Sequence, residues 1–444
     1  MGVGAIVEPL VVIVLLFGGT WINRVTGYLP SRRNSISYVP EDFLESGNPS
    51  PTSKDALLSP RSRSPLSEDP GEGWRQRKIA VLGMTCEVTT PNTAIFRDRL
   101  LSQVLWRFPF LVECWYWGLV YWTYQMGRAF TALTLQKGTV VVARQHAFQL
   151  IRIEESLGMF WEVGIQKHFL RHAHLMVGIN WIYSFIHIPG TIAFLVWLYY
   201  YTTTRNRIDD FQPGKPSGFL SESPAGPLLY QERRRTLAVC NLLAFVMFTL
   251  WPCMPPRLLS DPNVEGKEGE LARSYGFVDT VHGANGMGSV WTANQFCNQY
   301  AAMPSLHFGY SLMIGLTIMT IPLPPHHQRS IVRTRRARTI GLPVPSWRRL
   351  LCLVLGFLYP FIILVAIVAT ANHFILDAVV GALVCILARW CNGILLNLLP
   401  LEDYFLCLVR IHKPEPLHCK VIDEDDDVDR DVDEATLAHA VVPP

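Results

Sequence analysis

Apolar segments of about 20 residues recur along this chain, each enough to cross roughly 30 Å of hydrocarbon. They lie at 108–127, 175–203, 236–252, 304–321, 350–371 and 374–398, with a further run at 3–19 interrupted only by Glu8. Composition agrees: half of the 444 residues are hydrophobic and 17% are charged, against about 25% charged in an ordinary soluble domain. The pattern points to a polytopic membrane protein and argues against a soluble enzyme or a nucleic-acid binder. The formal net charge of +3 says little; its distribution, basic loops and an acidic C-terminus, says more. The ten cysteines include no C-x-x-C pair, so neither a disulfide framework nor a zinc site is expected.

The expected fold is all-α, a membrane bundle of six core transmembrane helices plus an N-terminal anchor over residues 1–20. No Lys or Arg precedes the anchor, and Arg24, Arg32 and Arg33 follow it. This charge order suits an anchor with its N-terminus outside, and the basic start of a cleaved signal peptide is missing. Residues 21–100 read as a disordered cytosolic linker rich in Ser, Pro and Arg. Residues 101–400 form the membrane domain, and 401–444 an acidic cytosolic tail. The stretch 175–203 reads as one long helix kinked at Pro189. Between the first two spans, the RIEESLGMFWE run from Arg152 to Glu162 reads as an interfacial helix; the topology set by loop charge puts Glu154, Glu155 and Glu162 on the same membrane face as the three polar motifs, and a solvated amphipathic face explains them equally well.

Loop charge sets the orientation. Residues 323–349 hold seven arginines and no acid, and 204–235 carry Arg205, Arg207, Arg233, Arg234 and Arg235. Both loops belong in the cytosol by the positive-inside rule. Alternation then puts 253–303 and 371–373 on the opposite, lumenal or extracellular face. Cys253 and Cys297 share that loop and are candidates for a disulfide.

Three polar motifs fall at helix ends on this face: Pro255-Pro256-Arg257, Pro304-Ser305-Leu306-His307, and Asn372-His373-Phe374-Ile375-Leu376-Asp377. His373 and Asp377 are four apart and share a helical face. A carboxylate bonded to one ring nitrogen leaves the other as a base or nucleophile. Proline suits the first turn of a helix, whose N-terminus is a natural phosphate site. Ser305 adds a hydroxyl there, and His307 is placed to act as general acid. The planar fork of Arg257 matches phosphate oxygens. Together these residues read as phosphoryl transfer through a covalent histidine. His373 attacks, Asp377 orients it, His307 protonates the leaving oxygen, and Arg257 and Ser305 hold the equatorial oxygens. The scheme requires no metal and no cofactor. Asn180, Tyr183 and His187 fall on one helical face and are candidates to line the substrate cavity.

This constellation resembles the type-2 phosphatidic acid phosphatase superfamily, and within it the aureobasidin-resistance branch of inositolphosphorylceramide synthase-like proteins. The resemblance runs over roughly residues 145–390. Besides the three motifs it includes the run from Glu154 to Gly158, the WPCMPPRLL run from Trp251 to Leu259, and GFVDT from Gly276 to Thr280. It implies a multi-pass enzyme of the Golgi or endoplasmic reticulum membrane with a lumenal site, and membrane lipids as its partners. It implies a transferase of sphingolipid metabolism, an inositolphosphotransferase carrying a phosphoinositol headgroup from phosphatidylinositol to a ceramide-like alcohol. The chain departs from the phosphatase pattern at 365–370, which is apolar or small where those members carry a Ser-Arg pair. That departure favours a less anionic phosphodiester substrate, or a replacement cation such as Lys167, His168 or Arg171. Other readings stay open: a lipid phosphate phosphatase with water as acceptor, prenyl-diphosphate chemistry using the aromatics of 108–127, and a transporter or scaffold.

Overall fold

The computed structural model describes residues 4–26, 73–81, 83–134, 137–183, 187–205, 225–280, 299–324, 329–332 and 342–414. All belong to one compact unit, formed by Met1–Tyr28 with Pro70–Pro414. The second unit, Leu29–Asp69 with Glu415–Pro444, lies outside the described residues, and so do the acidic run and most of the Ser/Pro-rich segment.

The unit is mostly helical. The helices are α1 (Gly4–Ile22), α2 (Leu100–Arg107), α3 (Phe110–Thr134), α4 (Lys137–Ser156), α5 (Glu162–Arg171), α6 (Ala173–Trp181) and α7 (His187–Tyr199). They continue with α8 (Pro227–Leu250), α9 (Gly266–Ser274), α10 (Leu306–Thr320), α11 (Trp347–Ala369), α12 (Ile375–Cys391) and α13 (Leu399–Val409). Among the described residues two runs are long and apolar enough to cross a membrane, Trp347–Ala369 and Ile375–Val409, and α1 and α10 hold shorter apolar stretches.

Helices α8, α10, α11 and α12 make the central bundle, and small residues let them close up. A Cβ on Gly381 would collide with the Ser305 carbonyl, and one on Gly309 would come 2.8 Å from the Gly381 carbonyl. Backbone meets backbone where α10 and α12 start, the kind of approach that helices in membranes use in place of a hydrophobic driving force. This contact sets His307 beside the start of α12.

The structure departs from the sequence reading in several places. The fold is not purely α. Residues 74–91, assigned to the disordered linker, form an antiparallel hairpin, β1 (Trp74–Val81) and β2 (Met84–Pro91). Arg75 and Arg77 of β1 pair with Asp403 of α13, which also accepts from the Thr90 hydroxyl at 2.7 Å. Tertiary pairing with α13, absent from any local pattern, orders the hairpin. A second hairpin, β3 (Arg329–Val332) with β4 (Leu342–Pro345), occupies part of the arginine-rich loop. Helix α8 starts well before residue 236, with Pro227 in its first turn. Arg233 and Arg235 are therefore buried helix residues and not loop residues. Pro189 lies in the first turn of α7, where its missing N–H costs nothing, and not inside a continuous helix; 184–186 lie outside the described residues. The run from Arg152 to Glu162 is no single helix, because Gly158 takes a positive φ of 68° and separates α4 from α5.

Candidate active site

Helix α11 ends in a tight turn that presents His373. The amides of Asn372 and His373 both donate to the Ile367 carbonyl, at 3.0 and 3.3 Å, while Ala371 takes a φ of 52°. That left-handed conformation costs an alanine about 1 kcal/mol or more. It is held from outside, since the Arg257 amide donates to the Ala371 carbonyl at 2.8 Å.

The His373 ring is fixed by a backbone acceptor. Its Nδ1 lies 2.7 Å from the Ala302 carbonyl and 3.5 Å from Asp377 Oδ2. A carbonyl can only accept, so Nδ1 carries a proton, and in the neutral ring the lone pair is then on Nε2. The expected orienting partner, Asp377, is thus the longer contact. Its Oδ2 accepts from the Phe374 amide at 2.8 Å, at the start of α12. Ala302 is itself anchored, its amide donating to the Cys253 carbonyl at 3.1 Å.

The next two amides of α12 are capped from other helices. The Ile375 amide donates to Glu162 Oε1 at 2.9 Å, and the Leu376 amide donates to Glu154 Oε1 at 2.8 Å. Both glutamates are fully buried. This corrects the solvated-face reading; of the three acids only Glu155 is exposed. Burial, with Glu162 within hydrogen-bonding reach, pushes the Glu154 carboxyl up to about 9. The start of α12 is therefore filled by side-chain carboxyls and is not a phosphate site.

Four rings gather at the start of α10. His307 lies 5.5 Å from His373 between ring centroids, 4.7 Å from His187 and 4.9 Å from Tyr183, with the Tyr183 ring stacked on it. So Tyr183 and His187 do line the histidine cluster. Asn180 is partly buried one turn before Tyr183, and its Oδ1 has no hydrogen-bond partner. Ser305 departs from its expected role. It is fully buried and caps α10, its hydroxyl accepting from the Phe308 amide at 3.4 Å. Its own amide donates to the Asp377 carbonyl at 2.9 Å, tying the two motif helices together.

Arg257 joins the cluster through the turn. Its Nε donates to Asn372 Oδ1 at 2.9 Å, and its Nη1 pairs with Asp279 Oδ2 at 3.3 Å. The three polar motifs thus converge. Arg257 is already half neutralised by the aspartate of the GFVDT run. Lys167, His168 and Arg171 are exposed on α5, whose inward side is Glu162 and Gln166. Residues 366–370 are buried with no cation among them. Trp115 and Trp122 of α3 are exposed, so they do not line this cluster. Cys253 is a free, buried thiol, which removes the expected disulfide; Cys297 lies outside the described residues.

Sequence reasoning put Glu154 and Glu162 on the face of the polar motifs but did not give their burial or their capping of α12. Their signal was two acids flanking Leu157-Gly158, a helix stop that turns both carboxyls to one side.

A family model settles the class. The PAP2 superfamily model matches residues 148–209, 225–330 and 338–391, which together make half of the chain. The chain belongs to the PAP2 superfamily. All three polar motifs fall inside the matched residues, as do Glu154, Glu162 and Asp279. No curated protein and no solved structure matches the chain. Membership makes the protein an enzyme of the phosphatase and phosphotransferase type with lipid phosphates as its substrate class. Together with the long apolar helices it points to a membrane protein.

Proposed function

We propose that this PAP2 enzyme is a lipid phosphotransferase that works through a phosphohistidine on a phosphodiester lipid. In the specific form of this reading, a phosphoinositol headgroup passes from phosphatidylinositol to a ceramide-like alcohol. The observation that carries it is the scarcity of positive charge. Arg257 is the one guanidinium hydrogen-bonded to the catalytic turn among the described residues, and Asp279 already pairs with it. Three carboxyl groups cap the adjacent helix. A phosphodiester carries one negative charge where a phosphomonoester carries up to two, so it suits this site better.

In this reading His373 Nε2 attacks phosphorus, and the bond to the diacylglycerol oxygen breaks as His307 supplies its proton. The lipid alcohol then attacks the phosphohistidine, the N–P bond breaks, and the alcohol proton passes to His307. Nδ1–H donating to the Ala302 carbonyl holds the imidazole in the tautomer this needs. Arg257 meets the equatorial oxygens in exchange for its longer contact with Asp279 at 3.3 Å, while Asn372 keeps its Nε. Asn180, Tyr183 and His187 line the path of the acceptor beside His307. The six-span topology with this site on the lumenal face of a Golgi or endoplasmic reticulum membrane belongs to the same proposal. A cysteine-accessibility scan that found residues 326–340 outside the cytosol would overturn it.

The test uses purified full-length protein with phosphatidylinositol and a fluorescent ceramide, read by chromatography. A new polar fluorescent lipid that requires phosphatidylinositol and is lost in His373→Ala supports the transferase. Phosphate release from phosphatidic acid without that product would make water the acceptor, and diphosphate release from a prenyl diphosphate would move the substrate class again.

A further inference from the structure

The N-terminus of α12 is capped in a way the proposed reaction does not use. Three consecutive amides, those of Phe374, Ile375 and Leu376, donate to Asp377, Glu162 and Glu154 at 2.8, 2.9 and 2.8 Å. One cap is local; the other two come from α5 and α4. All three acids are fully buried. Among the described residues the second oxygens of Glu154 and Glu162 have no donor, and the two carboxyls lie close together because they cap adjacent amides. Two bare carboxylates could not be buried face to face, so a proton between those oxygens is the chemically reasonable donor. Other titratable groups press on the pair from every side. Asp377 and His373 stand on the α12 side, and the buried Cys253 thiol stands in the loop before the Pro-Pro-Arg turn. Arg152 and Glu155 point outward to solvent.

We propose that Glu154 and Glu162 are positioning residues that share one proton and clamp the start of α12, holding His373 in place from α4 and α5. His373 immediately precedes the first capped amide, so any fraying of this helix end moves its ring away from the Ala302 carbonyl. The shared proton also removes one negative charge from the neighbourhood of the incoming phosphate. The catalytic consequence rests on His373 being the nucleophile; the clamp itself does not.

The test compares wild type with Glu154→Ala, Glu162→Ala, the single glutamines Glu154→Gln and Glu162→Gln, the double glutamine, and His373→Ala, all as full chains in detergent. Amide exchange over residues 372–378 reads the clamp, and turnover of phosphatidylinositol with fluorescent ceramide, or of fluorescent phosphatidic acid, reads the chemistry. Each alanine is expected to speed exchange about tenfold and to lower kcat about tenfold with KM nearly unchanged, the size of a lost helix cap. A single glutamine keeps an acceptor for the amide and supplies an N–H to the remaining carboxylate, so it restores both readouts. The double glutamine sets two amide donors against each other and fails like alanine. Unchanged exchange in the folded alanine variants would overturn the clamp, and a double glutamine as good as the singles would overturn the shared proton. His373→Ala should abolish turnover and leave exchange as in wild type. If wild type turns over none of these lipids, the proposed reaction fails while the exchange arm still decides the clamp.

Discussion

The two ends of the central bundle treat buried charge differently. At the end where α8 begins, charges are paired. Glu113 accepts from Arg234 at 2.8 Å and from the Tyr230 hydroxyl at 3.0 Å. Arg233 donates to Thr317 and Glu232, Arg235 to Asn392, and Lys413 to Glu402 and the Tyr116 hydroxyl. Among the described residues, unpartnered buried polar atoms at that end are Gln231 Oε1 and Trp117 Nε1, whereas at the histidine end Glu154, Glu162, Asn180, His187, Thr280 and Asp377 each hold one. Helix α8 alone separates the ends by about 36 Å, at 1.5 Å per residue. Unsatisfied polar atoms cost stability, so a fold concentrates them where something else uses them. The α8 end is held mainly by paired charges, and the histidine end, where the proposed chemistry takes place, carries more of the unsatisfied polar atoms.

That contrast can be broken most directly at His373. His373→Ala should remove at least about a thousandfold of turnover, as loss of a nucleophile does, with the thermal midpoint little changed. Rate and melting curves on the same preparation check both halves. Next in size is the cohesive end. Asp403→Asn leaves Arg75 and Arg77 without their buried partner and should cost about 3 kcal/mol, while kcat per folded molecule stays constant. Chemical denaturation followed by active-site titration separates the two.

A smaller effect is expected at Arg257. Lysine keeps the charge but loses the fork that engages Asn372 and Asp279 together, and about tenfold to a hundredfold in kcat/KM should go with it. An equal loss in melting temperature and rate would mean that Arg257 only stitches the turn. Glu154 supplies a pH signature. Its carboxyl lies above its ordinary 4.5, at about 9, so the folded state prefers the protonated form. The stability it contributes is fully present below pH 4.5 and is lost as pH rises through about 9. Melting curves from pH 5 to 10 should slope downward, and less steeply in Glu154→Gln. The smallest effect belongs to Ala371→Gly, which relieves a φ of 52° and should stabilise by up to about 1 kcal/mol, while loosening the turn and lowering kcat slightly.

Much of this site was legible in sequence because its signals are local. His373 and Asp377 are four apart, Pro304 precedes a helix start, and Arg257 follows two prolines; the structure puts His373 in the turn before the Phe374 cap, off the helical face expected for it, and Pro304 just outside the Ser305 cap. Helix ends and i to i+4 spacing need no knowledge of the partner element. Counting six spans led to the expectation that the motifs share one face; the structure shows two long apolar helices among the described residues, and it is the contacts of Arg257, His307 and His373 that bring the motifs together. Roles set by partners were not legible. Whether Glu154 faces water or a helix terminus depends on where α4 lands, and the sequence pattern is the same in either case. The hairpin at 74–91 was missed for a like reason: the β-branched residues of β2 and Gly83 at the turn are a weak local signal beside the polar composition of the segment, and Asp403, more than 300 residues away, pairs with Arg75 and Arg77 of β1.

The sequence by itself determined the apolar helices, the three polar motifs at their ends and the PAP2 class, because hydrophobic length and short-range spacing are properties of the chain alone. Tertiary structure decided that Ala302, nearer than Asp377, holds the His373 ring, that Ser305 caps its own helix, and that two glutamates from separate helices close the start of α12. Those are contacts between distant segments, and which donor meets which acceptor is settled only when the backbones come together.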